Sequence, residues 1–211
     1  RRAASGVDDL VGTMAALQGD FATARARQEE ALSIQRELDN AAGVLAVLQE
    51  RGNLAVEMGE GDAALRDFGE ALEIARRLGE KPRLAGLYAA VAAAHRRAGR
   101  LELAVAPLRQ ALEMYREIGS SVDSPDALLL AASLAADRGD FTRAARLFGA
   151  ADAHRGASEM PVLPGEAALI RRSRETARAG LGAAAFDAAA VEGAGLSSDA
   201  AMGEALASLE A

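Results

Sequence analysis

A shift of 40 residues lays the chain onto itself. Gly19, Gly59, Gly99 and Gly139 fall into one column, Ala24, Ala64, Ala104 and Ala144 into a second, and Ala31, Ala71, Ala111 and Ala151 into a third. Three further columns hold through the first three copies: Leu32, Leu72 and Leu112; Ile34, Ile74 and Met114; Leu38, Leu78 and Ile118. A period of this size marks a solenoid, because one such unit cannot bury its apolar face alone and must stack on neighbours to form a core.

The apolar positions inside a copy give its local structure. In the second copy Ala64, Phe68, Ala71, Leu72, Ala75 and Leu78 follow steps of three and four residues, the stripe of an amphipathic helix, here helix B. Before the glycine, Val44, Leu45, Val47, Leu48, Leu54, Val56 and Met58 form helix A. The unit is helix A, a tight turn at the glycine, then helix B. The glycine can take the left-handed conformation that ends helix A, which a residue with a Cβ adopts only at a cost. The acid that follows, Asp20, Glu60 or Asp140, suits the positive end of helix B, and Arg100 breaks that pattern. The alanines seven apart share one face of helix B, where axes about 8 Å apart leave room for nothing larger. Gly12, Gly52, Ala92 and Ala132 are the matching small residues of helix A.

Composition agrees and excludes much else. Half of the 211 residues are hydrophobic, with alanine prominent and only 3% aromatic, which favours helices packed through small side chains. With 24 basic against 31 acidic residues the formal charge is −7, so the electropositive footprint of a nucleic-acid binder is missing. No cysteine is present, which removes disulfides, thiolate metal sites and cysteine nucleophiles. The longest uncharged apolar run, Leu84 to Ala94, is about half of the ~20 residues a membrane helix needs, so no membrane span is expected. A cytoplasmic location is expected. The start, RRAASGVDDL, has neither a methionine nor a signal-peptide core and reads as a cut inside a longer chain.

The short breaks between copies fall at 39–41, 79–82 and 119–125, with Pro82 and Pro125 suited to the first turn of the next helix. Pro107 falls within helix B of the third copy, which predicts a kink or a late helix start. Past Asp152 the columns fail. Residues 156–165 have the Pro and Gly content of a loop, and three helical stretches follow at 166–179, 183–192 and 197–209, the last with Ser197 as N-cap.

The small residue midway along helix A, the glycine before helix B, and the alanines five and twelve positions after it resemble the tetratricopeptide repeat. The period departs from the usual length of about 34 residues, and only Tyr88 stands at the tryptophan-like column. The resemblance implies an all-α, TPR-like alpha-alpha superhelix of four repeats in 1–155 (about 7–38, 41–78, 82–118 and 125–155) with capping helices in 166–211. The tail sharpens it. Ala144, Ala145, Leu147, Gly149, Ala150, Ala151 and Ala153, then Pro161 and Pro164, then Leu181, Gly182, Phe186, Glu192, Gly193, Leu196, Ser197, Ala205 and Leu206 resemble the closing segment of helical-repeat regions in bacterial LuxR-like and AfsR-like regulators of the STAND ATPase class. An aromatic common four residues after the phenylalanine is Ala190 here. Such regulators carry an ATP-binding switch before the repeats and often a helix-turn-helix after them. No GxxxxGK[ST] loop occurs in this chain, so nucleotide binding is not assigned to it, and no cofactor is expected.

By register with that family, the polar residues lining the inner curve are Gln49, Asn53 and Glu57 in the second copy, Arg96 and Arg97 in the third, and Ser133 and Asp137 in the fourth. Asn53 holds a position where a peptide-gripping asparagine is common, since an amide both donates to and accepts from a ligand backbone. A protein, peptide or small effector in this concave groove is the expected partner, and the alternative is a solvated polar wall. Nothing points to catalysis or to a metal site. His95 stands where Ala15, Ala55 and Ala135 stand and is read as a packing residue, with His154 distant in repeat order. The serines have no GxSxG elbow or positioned base nearby. Arg171, Arg172, Arg174 and Arg178, interleaved with Glu166 and Glu175, are read as a solvated face. The expected function is a non-catalytic interaction or effector-sensing segment of a signal-responsive transcriptional regulator. A free-standing adaptor is the alternative, an enzyme a remote one, and homodimerisation through an exposed face stays open.

Overall fold

A computed structural model describes residues 20–119, 124–155 and 164–210. Expectations for residues 7–19, among them Gly12, Ala15 and Gly19, lie outside these, as do Ser120, Ser121 and most of the 156–165 loop. The described residues are all helical, with no strand: α1 (Phe21–Glu37), α2 (Ala41–Glu57), α3 (Gly61–Leu78), α4 (Lys81–Arg97), α5 (Leu101–Ile118), α6 (Ser124–Asp137), α7 (Phe141–Arg155), α8 (Pro164–Leu181), α9 (Ala183–Ala194) and α10 (Ser198–Ala207). The fold class is thus all-α, a succession of helix hairpins of the TPR-like solenoid kind. Two compact units are distinguished, residues 1–99 and 100–211, and each is described by itself.

The turn glycines behave as their column predicts: Gly59, Gly99 and Gly139 have φ of 76°, 72° and 85°. Gly79 and Gly119, which end α3 and α5, are left-handed as well. The acids after the turns divide. Asp20 accepts a hydrogen bond from the Thr23 amide at 3.1 Å and Asp140 one from the Arg143 amide at 3.2 Å, true N-caps. Glu60 makes no such cap, because Arg25 of α1 takes its carboxylate at 2.5 Å.

In the first unit α3 packs between α2 and α4, and the core runs from Leu45, Val47 and Leu48 through Phe68, Ala71 and Ile74 to Leu87 and Ala94. Gly52 is small for a direct reason: a Cβ there would lie 2.3 Å from the fully buried Phe68 ring. In the second unit α6 is enclosed by α5, α7, α8 and α10. Its sequence, ALLLAASLAA, is apolar on every side, the pattern of a helix buried all round.

Pro107 lies inside α5, which begins at Leu101, so the late start does not occur. The carbonyl that its missing N–H leaves bare belongs to Leu103, an exposed residue where water can serve it.

The tail helices α8–α10 are close to their expected bounds, and Ser197 accepts the Ala200 amide at 3.3 Å as N-cap. Their docking rests on glycines that let backbones approach closely. A Cβ at Gly149 of α7 would stand 1.9 Å from the Ala190 carbonyl oxygen of α9, and one at Gly193 would stand 1.9 Å from that of Arg146. At Ala190 the α9 backbone itself meets α7. Two arginines read as a solvated face are ties instead. Arg174 holds Asp152 at 2.7 and 2.9 Å over the Phe148 ring, and Arg178 forms a bidentate pair with Asp187 beside Phe186. Arg171 and Arg172 are exposed, as expected.

Candidate functional site

The helix A residues expected to line a groove meet different fates. In the first unit Gln49, Asn53 and Arg96 are half-buried on α2 and α4. Glu57 and Arg97 come together, but with each other: the guanidinium lies 3.5 Å from the carboxylate and donates to the Glu57 backbone carbonyl at 2.9 Å. The Glu57 side chain is only 7% exposed, so this pair fastens α2 to α4 rather than facing a ligand. In the second unit Asp137 is exposed at the end of α6. Ser133 must be corrected. It is wholly buried, and its hydroxyl has no hydrogen-bond partner among the described residues, because α5, α7, α8 and α10 pack around the apolar middle of α6. His95 is half-buried in α4, as a packing residue would be.

An open concavity among the described residues of the first unit lies elsewhere. A cleft of about 320 Å³ is formed by α1, α2 and α3. From α1 come Arg25 and Glu29; from α2 come Arg51, Leu54 and Ala55; Glu60, Ala63, Arg66 and Asp67 close the third side. None of the expected groove residues is among them. On the floor Arg51 grips Asp67 through two hydrogen bonds of 2.8 and 2.5 Å, with the carboxylate side chain 12% exposed. That hydrogen bond raises the Arg51 pKa above its ordinary value, so the guanidinium is permanently charged. Breaking a largely buried pair from one side strands the other charge, at a cost of about 3 kcal/mol. At the upper edge Arg25 reaches Glu60, and further along Arg36 holds Glu70 at 2.7 Å, so α1 is strapped to α3. Arg66 and Glu29 differ from these pairs. Both are exposed, on α3 and α1, and no hydrogen bond or ion pair holds either among the described residues, although the Glu29 carboxylate adds to the field that favours the Arg51 charge.

One sequence signal could have disclosed this cleft. Arg51 stands in the column of Val11, Val91 and Ala131, and Asp67 in that of Arg27, Pro107 and Leu147. Two opposite charges in columns that are otherwise mostly apolar must meet each other or water.

Helices arranged in hairpins with left-handed glycine turns can belong to several repeat classes, and a sequence match over part of the chain bears on which. Residues 44–117 match the tetratricopeptide repeat family. The match runs from α2 into the last turn of α5 and so includes the second and third copies. The tetratricopeptide repeat is a protein-interaction module. No curated protein matches the chain at a significant level. Among the described residues no helix is long and apolar enough to cross a membrane, and no group of three or more His, Asp or Glu side chains is placed to hold a metal ion.

Proposed function

We propose that this chain is the partner- or effector-sensing segment of a larger signal-responsive transcriptional regulator of the STAND ATPase kind. The observation that carries the regulator reading is the tail. The residues that resemble the closing segment of such regulators, Gly149, Phe186, Gly193, Ala205 and Leu206, are the ones through which α9 and α10 meet the array, all but Gly149 in the tail itself. A solenoid capped in this way offers side chains along its helices to a partner, and a bound partner can bias an attached switch.

The partner seats on the helix A wall of the first unit, with Gln49, Asn53 and Arg96 as its polar contacts. The acidic balance of the chain favours a protein, peptide or small effector over nucleic acid. Glu57 and Arg97 hold that wall together and are poor probes of binding, since changing either loosens α2 from α4. Two measurements test the reading. The full-length reading frame is expected to encode a phosphate-binding loop ahead of the repeats, and a frame without one removes the regulator. The double variant Gln49→Ala, Asn53→Ala is expected to weaken capture of the physiological partner at least about tenfold with helicity unchanged. Undiminished capture removes the wall.

A further inference from the structure

The cleft of the first unit has a filled counterpart in the second. Two repeat periods take Glu29 of α1 to Arg109 of α5, Leu54 and Ala55 of α2 to Leu134 and Ala135 of α6, and Arg66 of α3 to Arg146 of α7. Helix α10 packs against all three of these helices. Its Ala201, Met202, Ala205 and Leu206, with Leu209 just beyond, are buried there. Its acidic residues are held by the residues in register with Arg66 and Glu29 of the first unit. Arg146 donates to Glu204 at 2.6 and 3.1 Å, and Arg109 donates to Glu210 and to the Leu209 carbonyl, both at 3.3 Å.

In the first unit a three-helix arrangement in register with that one presents Leu54 and Ala55 at its floor, with Arg66 and Glu29 on its walls, and among the described residues of that unit no further helix covers it. Arg51 and Asp67 occupy the places of Ala131 and Leu147, so the apolar part of the floor is smaller than the one α10 covers. We propose that this cleft is a docking site for a short amphipathic helix of another protein, seated as α10 is seated in the second unit. That helix carries a carboxylate for Arg66 and, six residues further on, a Lys or Arg for Glu29. The charge pattern disfavours α10 of a second copy as the natural occupant, because Glu210 would then face Glu29. The site rests on the cleft and its charges, independently of the helix A wall proposed above.

The test uses the intact chain and a fluorescent peptide of residues 197–210, held helical by a lactam joining Asp199 to a lysine at position 203, where α10 leaves open space. Two versions are compared by anisotropy: the α10 sequence itself and the same peptide with Glu210→Lys. The chain's own α10 fills the groove of the second unit, and a lysine at 210 is repelled by Arg109, so the second peptide competes for that groove less well than the first. It is expected to bind at least about fivefold tighter than the first, and to lose at least about tenfold in affinity for the Arg66→Glu chain. Glu29→Arg, which gives positions 29 and 66 the charges of Arg109 and Arg146, is expected to reverse the preference. Arg66 and Glu29 are exposed, so circular dichroism should be unchanged in both variants. Failure of both peptides to bind, or affinities indifferent to both substitutions, overturns the site. Arg66-dependent self-association of the unmodified chain overturns the heterologous partner in favour of a second copy. Gln49→Ala with Asn53→Ala leaves these affinities unchanged, which keeps the two sites separable.

Discussion

Helices α3 and α7 carry nearly the same words, RDFG at 66–69 and RLFG at 146–149, two periods apart. Their phenylalanines are both fully buried, yet the outer faces lead opposite lives. Arg146 ties down Glu192 and Glu204, and Gly149 lies against the α9 backbone. Arg66 is exposed, and Gly69 has nothing within 4 Å of where its Cβ would be. A repeat column therefore fixes the inward residues of a helix, while the neighbour that comes to the outward face decides what a glycine or an arginine there is for.

The glycine pair gives the largest expected contrast. Gly149→Ala drives a methyl into a backbone carbonyl that cannot rotate away, so α9 must withdraw, at a cost of about 3 kcal/mol. Gly69→Ala puts the same methyl into open space inside a helix and should stabilise by about 0.5–1 kcal/mol. Chemical denaturation of both variants reads the difference, and equal effects would erase the contrast between the two faces. The arginine pair comes next. Arg146→Ala is expected to cost about 1 kcal/mol, a figure already reduced for the one-third exposure of its side chain, whereas Arg66→Ala should stay within about 0.5 kcal/mol. A third contrast lies on helix A. Ser133→Ala removes a buried hydroxyl that has no partner and should stabilise by up to about 1 kcal/mol, while Asn53→Ala, in the same column but half-buried, should change stability little.

The smallest effect is a titration. The bidentate Arg178 holds the Asp187 carboxyl below the ordinary 3.8. A depressed folded-state pKa contributes stability above the unfolded value and loses it as pH falls through the folded one. NMR titration should thus place the Asp187 midpoint below 3.8, and Arg178→Gln should bring it back up. A midpoint unchanged by that substitution would mean the pair is not formed in solution.

How far the sequence reaches is set by the same distinction. Its columns disclose α1–α7, the left-handed turns and the small residue opposite Phe68, because each follows from the local geometry of one hairpin. Glu60 and Ser133 mislead for the complementary reason. Glu60 looks like a cap and is claimed by Arg25 from another helix, and Ser133 looks like a groove residue and is covered by helices from outside its repeat. The cleft stayed hidden because its walls come from α1 and α3, whose charges mean little until the two helices are side by side. Asp152 shows the reverse case. Its departure from the leucine column marks the end of the array, and only its pairing with Arg174 explains why an acid stands there.

Shortening the chain to end at Gly195 removes α10 and tests the central claim directly, that a groove filled by α10 in the second unit stands open in the first. Amide hydrogen exchange should then quicken in α5 and α7 at the residues around Arg109 and Arg146, with α1 and α3 unchanged around Glu29 and Arg66. Free α10 peptide should restore the slow exchange. Exchange in α5 and α7 that is indifferent to loss of α10, or that quickens equally in α1 and α3, would contradict the account.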